Sequence, residues 1–305
     1  MKPSSTSTAS SSSLQEVNIG FWHDVAQLVK FRLSATVVLS SVLAFLVALS
    51  PGAFSWWSLT VLTVGGLLTT GAANVLNEVL EKDYDRQMSR TENRPLASGR
   101  WTTSDAVMAA GFMSLVGISL LALFNPWTAF LGTFSLVSYA FVYTPMKRVG
   151  PAAVLIGAVP GALPALIGCA AAEGYISWLG VTLFAIQFFW QLPHFYAIGF
   201  LGYGDYKRAG FKLVPEFRGD VDGIRLGRDA FWAAVALIPL AFVPYFLGQS
   251  SLVAAILVAV LGVFFSVVAY RFWMKPERPT ALRTMFTSFL YIPLAFSIFW
   301  IDQLL

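Results

Sequence analysis

The stretch Asn74-Val-Leu-Asn77-Glu78-Val-Leu-Glu81-Lys-Asp83-Tyr-Asp85 carries side chains on which chemistry can be built. A long apolar run gives way here to carboxylates and carboxamides at helical spacing. At about 100° per residue, Asn77, Glu81 and Asp85 drift by only about 40° per step, and Asn74 and Glu78 fall within the same arc of about 100°. They share one face, whereas Asp83 points away and reads as the partner of a loop cation. Carboxylates crowded at the end of an apolar helix repel one another and resist desolvation, so something positive must stand between them. A divalent cation answers that need. Oxygen-only donors favour Mg²⁺, which completes its octahedron with waters and phosphate oxygens rather than with an all-protein cage. Asn77, Glu81 and Asp85 are the expected ligands, and a diphosphate would supply the missing oxygens.

The loop that follows, Arg86-Gln-Met-Ser-Arg90-Thr-Glu-Asn93-Arg94-Pro95, supplies permanent cations whose planar forks grip two oxygens at once. Arg90 and Arg94, four residues apart beside the acidic face, read as phosphate contacts. Arg86 and Arg100 are accounted for by membrane topology alone. Lys147 and Arg148, at the end of a later apolar run, suit topology and anion binding equally well. His194 lies inside an apolar run, where polar side chains are rare and tend to be functional. A hydrogen-bonded packing role is the plain alternative, since His23 is far along the chain and offers no ligand partner. The single Cys169, also in an apolar run, rules out a disulfide framework or a paired-cysteine metal site.

The elements that must position these groups are membrane helices. Of 305 residues, 57% are hydrophobic and 12% charged, about half the charge of a soluble domain. Apolar runs at about 34–51, 57–80, 104–124, 127–145, 151–172, 177–201, 229–248, 251–271 and 282–303 each approach the roughly 20 residues that cross a bilayer. The expected fold is therefore all-α and integral to the lipid bilayer, with nine transmembrane helices in one domain over residues 21–305. Pro160, Pro164 and Pro193 fall inside expected spans and imply kinks or broken turns packed against neighbours.

Charge tests that count. With nine spans, all 20 Lys and Arg fall on one face, which the positive-inside rule makes cytoplasmic, with the N-terminus inside and the C-terminus on the opposite side. The net charge of +4 then follows from topology, and nucleic acid is excluded as a partner. Residues 1–20 are expected to form a disordered tail. They show neither a secretory apolar segment nor an Arg-rich presequence, which favours a bacterial plasma (inner) membrane over a mitochondrial one.

These residues resemble the UbiA-type intramembrane prenyltransferases, whose signature is an Asn with acids at +1, +4 and +8 and then an Arg-Thr-x-x-Arg-Pro loop. The matching positions are Asn77, Glu78, Glu81, Asp85, Arg90, Thr91, Asn93, Arg94 and Pro95, with Glu at +1 and +4 where many relatives carry Asp. Within that family, Tyr143-Thr-Pro-Met-Lys147-Arg148, Pro193-His194-Phe-Tyr-Ala, Asp205-Tyr206-Lys-Arg208-Ala-Gly and Leu-Val-Pro215 are similar to the protoheme IX farnesyltransferases. The likeness extends from about residue 22 to the end. A second aspartate-rich motif, usual in quinone-forming members, is represented here by Asp205 alone.

The resemblance implies nine helices around a central cavity open to the cytoplasmic face. It also implies Mg²⁺-dependent transfer of a farnesyl group from farnesyl diphosphate to a vinyl group of protoheme IX, after which water traps the new cation to give heme O. Catalytic roles fall on Asn77, Glu81, Asp85, Arg90, Arg94, Lys147 and His194. Substrate contacts fall on Asn74, Glu78, Asn93, Tyr143, Arg148, Asp205, Tyr206 and Arg208. His194 could orient a propionate, ligate iron or move a proton, and a downstream heme A synthase is an expected partner. Two other readings compete. One is prenylation of a quinone or other aromatic precursor. The other is secondary transport, against which stand the absence of an evident inverted repeat and the placement of the acids at a helix end.

Overall fold

The computed structural model describes residues 20–305, so the expected N-terminal tail lies, apart from Gly20, outside the described residues. The chain runs α1 (Phe21–Leu28), α2 (Phe31–Ala48), α3 (Trp56–Asp85), α4 (Thr103–Ala122) and α5 (Pro126–Val137). A π-helical turn over Ser138–Tyr143 carries α5 into the short α6 (Thr144–Met146). Then come α7 (Ala153–Glu173), α8 (Trp178–Leu201), α9 (Tyr203–Arg208), a two-residue hairpin of β1 (Glu216–Phe217) and β2 (Asp220–Val221), α10 (Gly223–Leu240), α11 (Val243–Phe246), α12 (Leu252–Met274) and α13 (Arg278–Leu304). Local sequence sets many of the starts. Ser55, Thr102, Asn125, Ser177, Asp222 and Ser251 each accept a hydrogen bond from a backbone N–H one turn on, and Glu277 closes a capping box with Thr280.

Packing follows a ring. Each long helix touches the next, from α2 through α3, α4, α5, α7, α8, α10 and α12 to α13, and α13 closes back onto α2. Inside the ring α2 also packs closely along α7. Gly168 permits that approach, because a Cβ there would strike the backbone of Ser41 and Phe45. Apolar side chains cover the outside, including Phe112, Leu115, Val260 and Phe264, as expected where lipid is the solvent.

Among the described residues, eight helices are long and apolar enough to cross a membrane. The expected ninth, α8, has 24 residues and the necessary length, but its inward Gln187 and Gln191, together with His194, dilute its hydropathy. Composition alone therefore does not establish the count of nine. Pro160, Pro164 and Pro193 are buried within helices that run through them without interruption. Pro164 has no N–H to offer the Pro160 carbonyl, and Ser135 Oγ donates to that oxygen instead, at 3.3 Å.

The contact of α2 with α7 generates a test. Gly168→Val should cost more than the about 1–3 kcal/mol of ordinary overpacking, because the obstacle is backbone. Gly111, which has open space around its Cα, should accept Val with little change. Detergent size-exclusion profiles and melting temperatures of the two variants check this.

Candidate active site

Helix α3 has 30 residues and is about 45 Å long, so it outreaches the roughly 30 Å of a hydrocarbon core. Its last three turns carry the acidic face, and that face points inward. Asn77, Glu78, Glu81 and Asp85 are 1%, 1%, 3% and 1% exposed, values that exclude a solvated helix end. Asp83 is exposed and pairs with Arg86 at 3.2 Å.

Three cations from three other places meet this face. Lys30, in the turn before α2, donates from Nζ to Asn77 Oδ1 at 2.7 Å, while Asn77 Nδ2 donates to Thr144 Oγ1 at 3.0 Å. Lys147, just after α6, hydrogen-bonds Glu81 Oε2 at 3.1 Å and lies 2.9 Å from Oε1. Arg94 donates to Asp85 Oδ2 at 2.8 Å, and its Nε lies 3.8 Å from Glu78. Burial, and next the neighbouring Arg94 charge, pull the Lys30 ammonium down to about 7. Burial also works against the Arg94 charge, but Asp85 and Glu78 outweigh it and raise the guanidinium above its usual value. Lys30 holds its place at a backbone φ of 47°, a left-handed conformation that non-glycine residues adopt only when surroundings impose it.

The loop after α3 is folded inward by Met88, Leu96 and Ala97, and Thr91 Oγ1 donates to the Asp85 carbonyl at 2.9 Å. Met88 packs with Ala209 and Phe211, which brings Arg90 against Tyr206, at 3.2 Å from its hydroxyl. Arg100 forks onto the buried Asp24 of α1 at 2.9 to 3.1 Å and donates to the Asn93 carbonyl at 3.0 Å. The two arginines set aside as topological thus find their partners away from the acidic face, Arg86 on Asp83 and the Ala97 carbonyl and Arg100 on Asp24.

Two cavities adjoin. A polar one of about 100 Å³ is lined by Lys30, Asn77, Glu81, Asp85, Arg90, Arg94 and Lys147, with Tyr206 at its rim. An apolar one of about 290 Å³ extends between α2, α3, α7, α8 and α13, and includes Asn74, Gln191, His194 and Phe289 in its wall. Tyr139 and Tyr143 line both. Of the expected site residues, Asn77, Glu81, Asp85, Arg90, Arg94, Tyr143, Lys147 and Tyr206 are therefore together. Asn74 and His194 belong to the apolar wall, and Glu78 lies buried behind the polar pocket. Arg148 stacks over Tyr84 at 3.9 Å and donates to the Leu80 carbonyl; Asn93 is exposed; Asp205 and Arg208 pair with each other outside the pocket lining. Lys30, Tyr139 and Thr144 were not anticipated. Lys30 carries no sequence signal beyond being a cation at the start of a span.

A family profile described as the UbiA prenyltransferase family matches residues 38–291. The chain belongs to that family. It is 37% identical over 285 residues to the protoheme IX farnesyltransferase of Cytophaga hutchinsonii, covering 91% of this chain and 96% of the relative. Its fold is similar to that in a structural study of digeranylgeranylglyceryl phosphate synthase, with a TM-score of 0.76, 16% identity and coverage of 92% of this chain and 98% of the other. It is also similar to a UbiA homolog from Archaeoglobus fulgidus bound to GPP and Mg²⁺, with a TM-score of 0.69, 14% identity and coverage of 90% and 99%.

The donor set of this UbiA chain suits a hard cation. Glu78 Oε1 and Oε2 and Asp85 Oδ1 are buried with no hydrogen-bond donor, a costly state for carboxylate oxygens that a divalent ion relieves. Among the described residues no three acidic, His or Cys side chains converge into a ready-made centre, since Lys147 and Arg94 stand on two of the acids.

The Asp24–Arg100 contact can be tested as the clamp of the arginine loop. Arg100→Ala should destabilise the protein by about 3 kcal/mol and expose residues 86–102 to protease, because it leaves the buried Asp24 charge alone, and Asp24→Ala should cost less because Arg100 can reach solvent. The exchanged pair, Asp24→Arg with Arg100→Asp, should recover much of that loss in melting temperature.

Proposed function

We propose that this chain transfers a farnesyl group from farnesyl diphosphate to a vinyl group of protoheme IX, giving heme O, with Mg²⁺ as its cofactor. The observation that carries the reading is the junction of a charged pocket with an apolar cavity across Tyr139 and Tyr143. A diphosphate ester of an isoprenoid has that same division, with a charged head and an apolar tail. The relationship to the Cytophaga protein supplies the acceptor. On this reading the protein sits in the bacterial plasma membrane with its basic face and N-terminus in the cytoplasm, and hands heme O to a downstream heme A synthase.

Asn77, Glu81 and Asp85 would hold the ion, with Glu78 as a neighbouring buried charge. Bound there, Mg²⁺ supplies charge neutralisation for diphosphate oxygens next to the acids. The chain's own residues do the rest. Arg90 and Arg94 offer forked N–H donors to the departing diphosphate, and Lys147 offers a point charge from the opposite side. Tyr143 lies under Lys147, with the ammonium 4.8 Å from its ring centre, and Tyr206 holds Arg90 at the rim. The apolar cavity keeps bulk water from the allylic cation that forms when the carbon–oxygen bond breaks.

Three expected outcomes follow from these roles. Purified protein with farnesyl diphosphate, Mg²⁺ and protoheme should yield heme O by mass analysis, and turnover of an aromatic acid in place of heme would overturn the acceptor. Asp85→Ala should abolish turnover and also the rise in melting temperature on adding Mg²⁺, a rise of about 2.7 kcal/mol in stability at 100 times Kd for the unmodified protein. Arg94→Lys keeps the charge but loses the fork, so kcat/KM for farnesyl diphosphate should fall by at least about tenfold.

A further inference from the structure

Two polar side chains in the wall of the apolar cavity are not used by the transfer of the prenyl group. Gln191 and His194 stand three residues apart on α8, and both line the cavity. Each has a donor committed to the protein. Gln191 Nε2 donates to the Ala158 carbonyl at 2.8 Å, which fixes the carboxamide so that Oε1 rests against Gly161, another cavity-lining residue. A Cβ at Gly161 would collide with that oxygen. His194 Nδ1 lies 2.8 Å from Ser288 Oγ. The Ser288 hydroxyl has one proton, and it is given to the Met285 carbonyl one turn back on α13. Ser288 Oγ can therefore only accept, so Nδ1 carries the hydrogen and Nε2 keeps its lone pair.

The result is two acceptors, Gln191 Oε1 and His194 Nε2, with no hydrogen-bond partner among the described residues. Residues three apart on a helix are neighbours on one face, and both side chains line one cavity, where a water can donate to each acceptor. A water that gives both hydrogens to fixed acceptors has its lone pairs turned outward, into the cavity. The surrounding wall is largely apolar, so these two acceptors mark a place for an ordered water in it.

We infer that Gln191 and His194 bind and orient the water that ends the reaction, and that His194 Nε2 accepts its proton. This rests on the reading of the chain as a heme-farnesylating enzyme. The allylic cation left as diphosphate departs is captured by the terminal vinyl carbon, which bonds to the first farnesyl carbon and leaves a cation on the vinyl carbon next to the porphyrin. The water oxygen bonds to that carbon, and its proton passes to Nε2, which makes an imidazolium and a secondary alcohol. That tautomer leaves Nε2 able to accept a proton.

The test separates carbon–carbon bond formation from water capture. Wild-type protein, farnesyl diphosphate, Mg²⁺ and protoheme are incubated in oxygen-18 water, and the products are resolved by mass alongside a diphosphate-release assay. Gln191→Leu removes one acceptor. His194→Asn retains a donor to Ser288 but deletes Nε2. In both variants diphosphate release should continue while the hydroxylated share of product falls by at least about tenfold. In its place should appear a product lighter by one water, formed when the cation loses a proton instead. An unchanged hydroxylated share in both variants overturns the inference, and so does loss of diphosphate release in both, which would make the pair a binding or folding element. Failure of the wild type to farnesylate heme at all removes the underlying reading and this inference with it, and is distinguished by the wild-type lane alone.

Discussion

Negative charge placed at the inner end of a membrane helix must be compensated on the spot, and the architecture around α3 is arranged to do so. Its buried acids and Asn77 are met by Lys30, Arg94 and Lys147, which arrive from the turn before α2, the loop after α3 and the end of α6. The one cation within α3 itself, Lys82, turns instead to the Thr103 hydroxyl. The strained Lys30 backbone, the inward fold of the arginine loop and the Asp24–Arg100 clamp all serve delivery of charge to one place. Isolated ions in this setting would be far too costly, whereas a balanced cluster is tolerated.

Separation of that cluster from the apolar chamber is the second organising feature. Helices α2 and α7 come together at Gly168, α13 closes on α2, and the space left between them is largely apolar, with Gln187, Gln191 and His194 held by backbone carbonyls or a neighbouring hydroxyl. The amide nitrogens of Gln187 and Gln191 both bond carbonyls of the proline-containing α7, so polar groups there rigidify the wall instead of wetting it.

Much of this was legible in the residues. Apolar runs gave the long helices to within a few residues, and the 3.6 period gave the acidic face, because both depend on near neighbours. Helix α10 departs from this at both ends, starting six residues earlier than expected and ending at Leu240, eight before the expected end; its start reflects capping by Asp222 and a charged first turn that hydropathy discounts. What could not be read were groupings across the ring: Lys30 on Asn77, 47 residues apart, or Asp24 under Arg100, 76 apart. Likewise, Arg148 and Lys147 are adjacent and chemically alike, yet one turns to Glu81 and the other lies over Tyr84. That choice is made by the backbone geometry just ahead of them.

That geometry is the π-helical turn at Ser138–Tyr143. A π turn takes up one residue more than an α turn, so everything after it is rotated by about 100° relative to an uninterrupted α-helix. Thr144 and Lys147 face α3 only because of this offset. If the same segment relaxed to regular pitch, the hydroxyl would leave Asn77 and the ammonium would leave Glu81 in a single movement. The polar chamber thus has its combination written into one irregular coil of backbone, at a position where neither side chain involved betrays it.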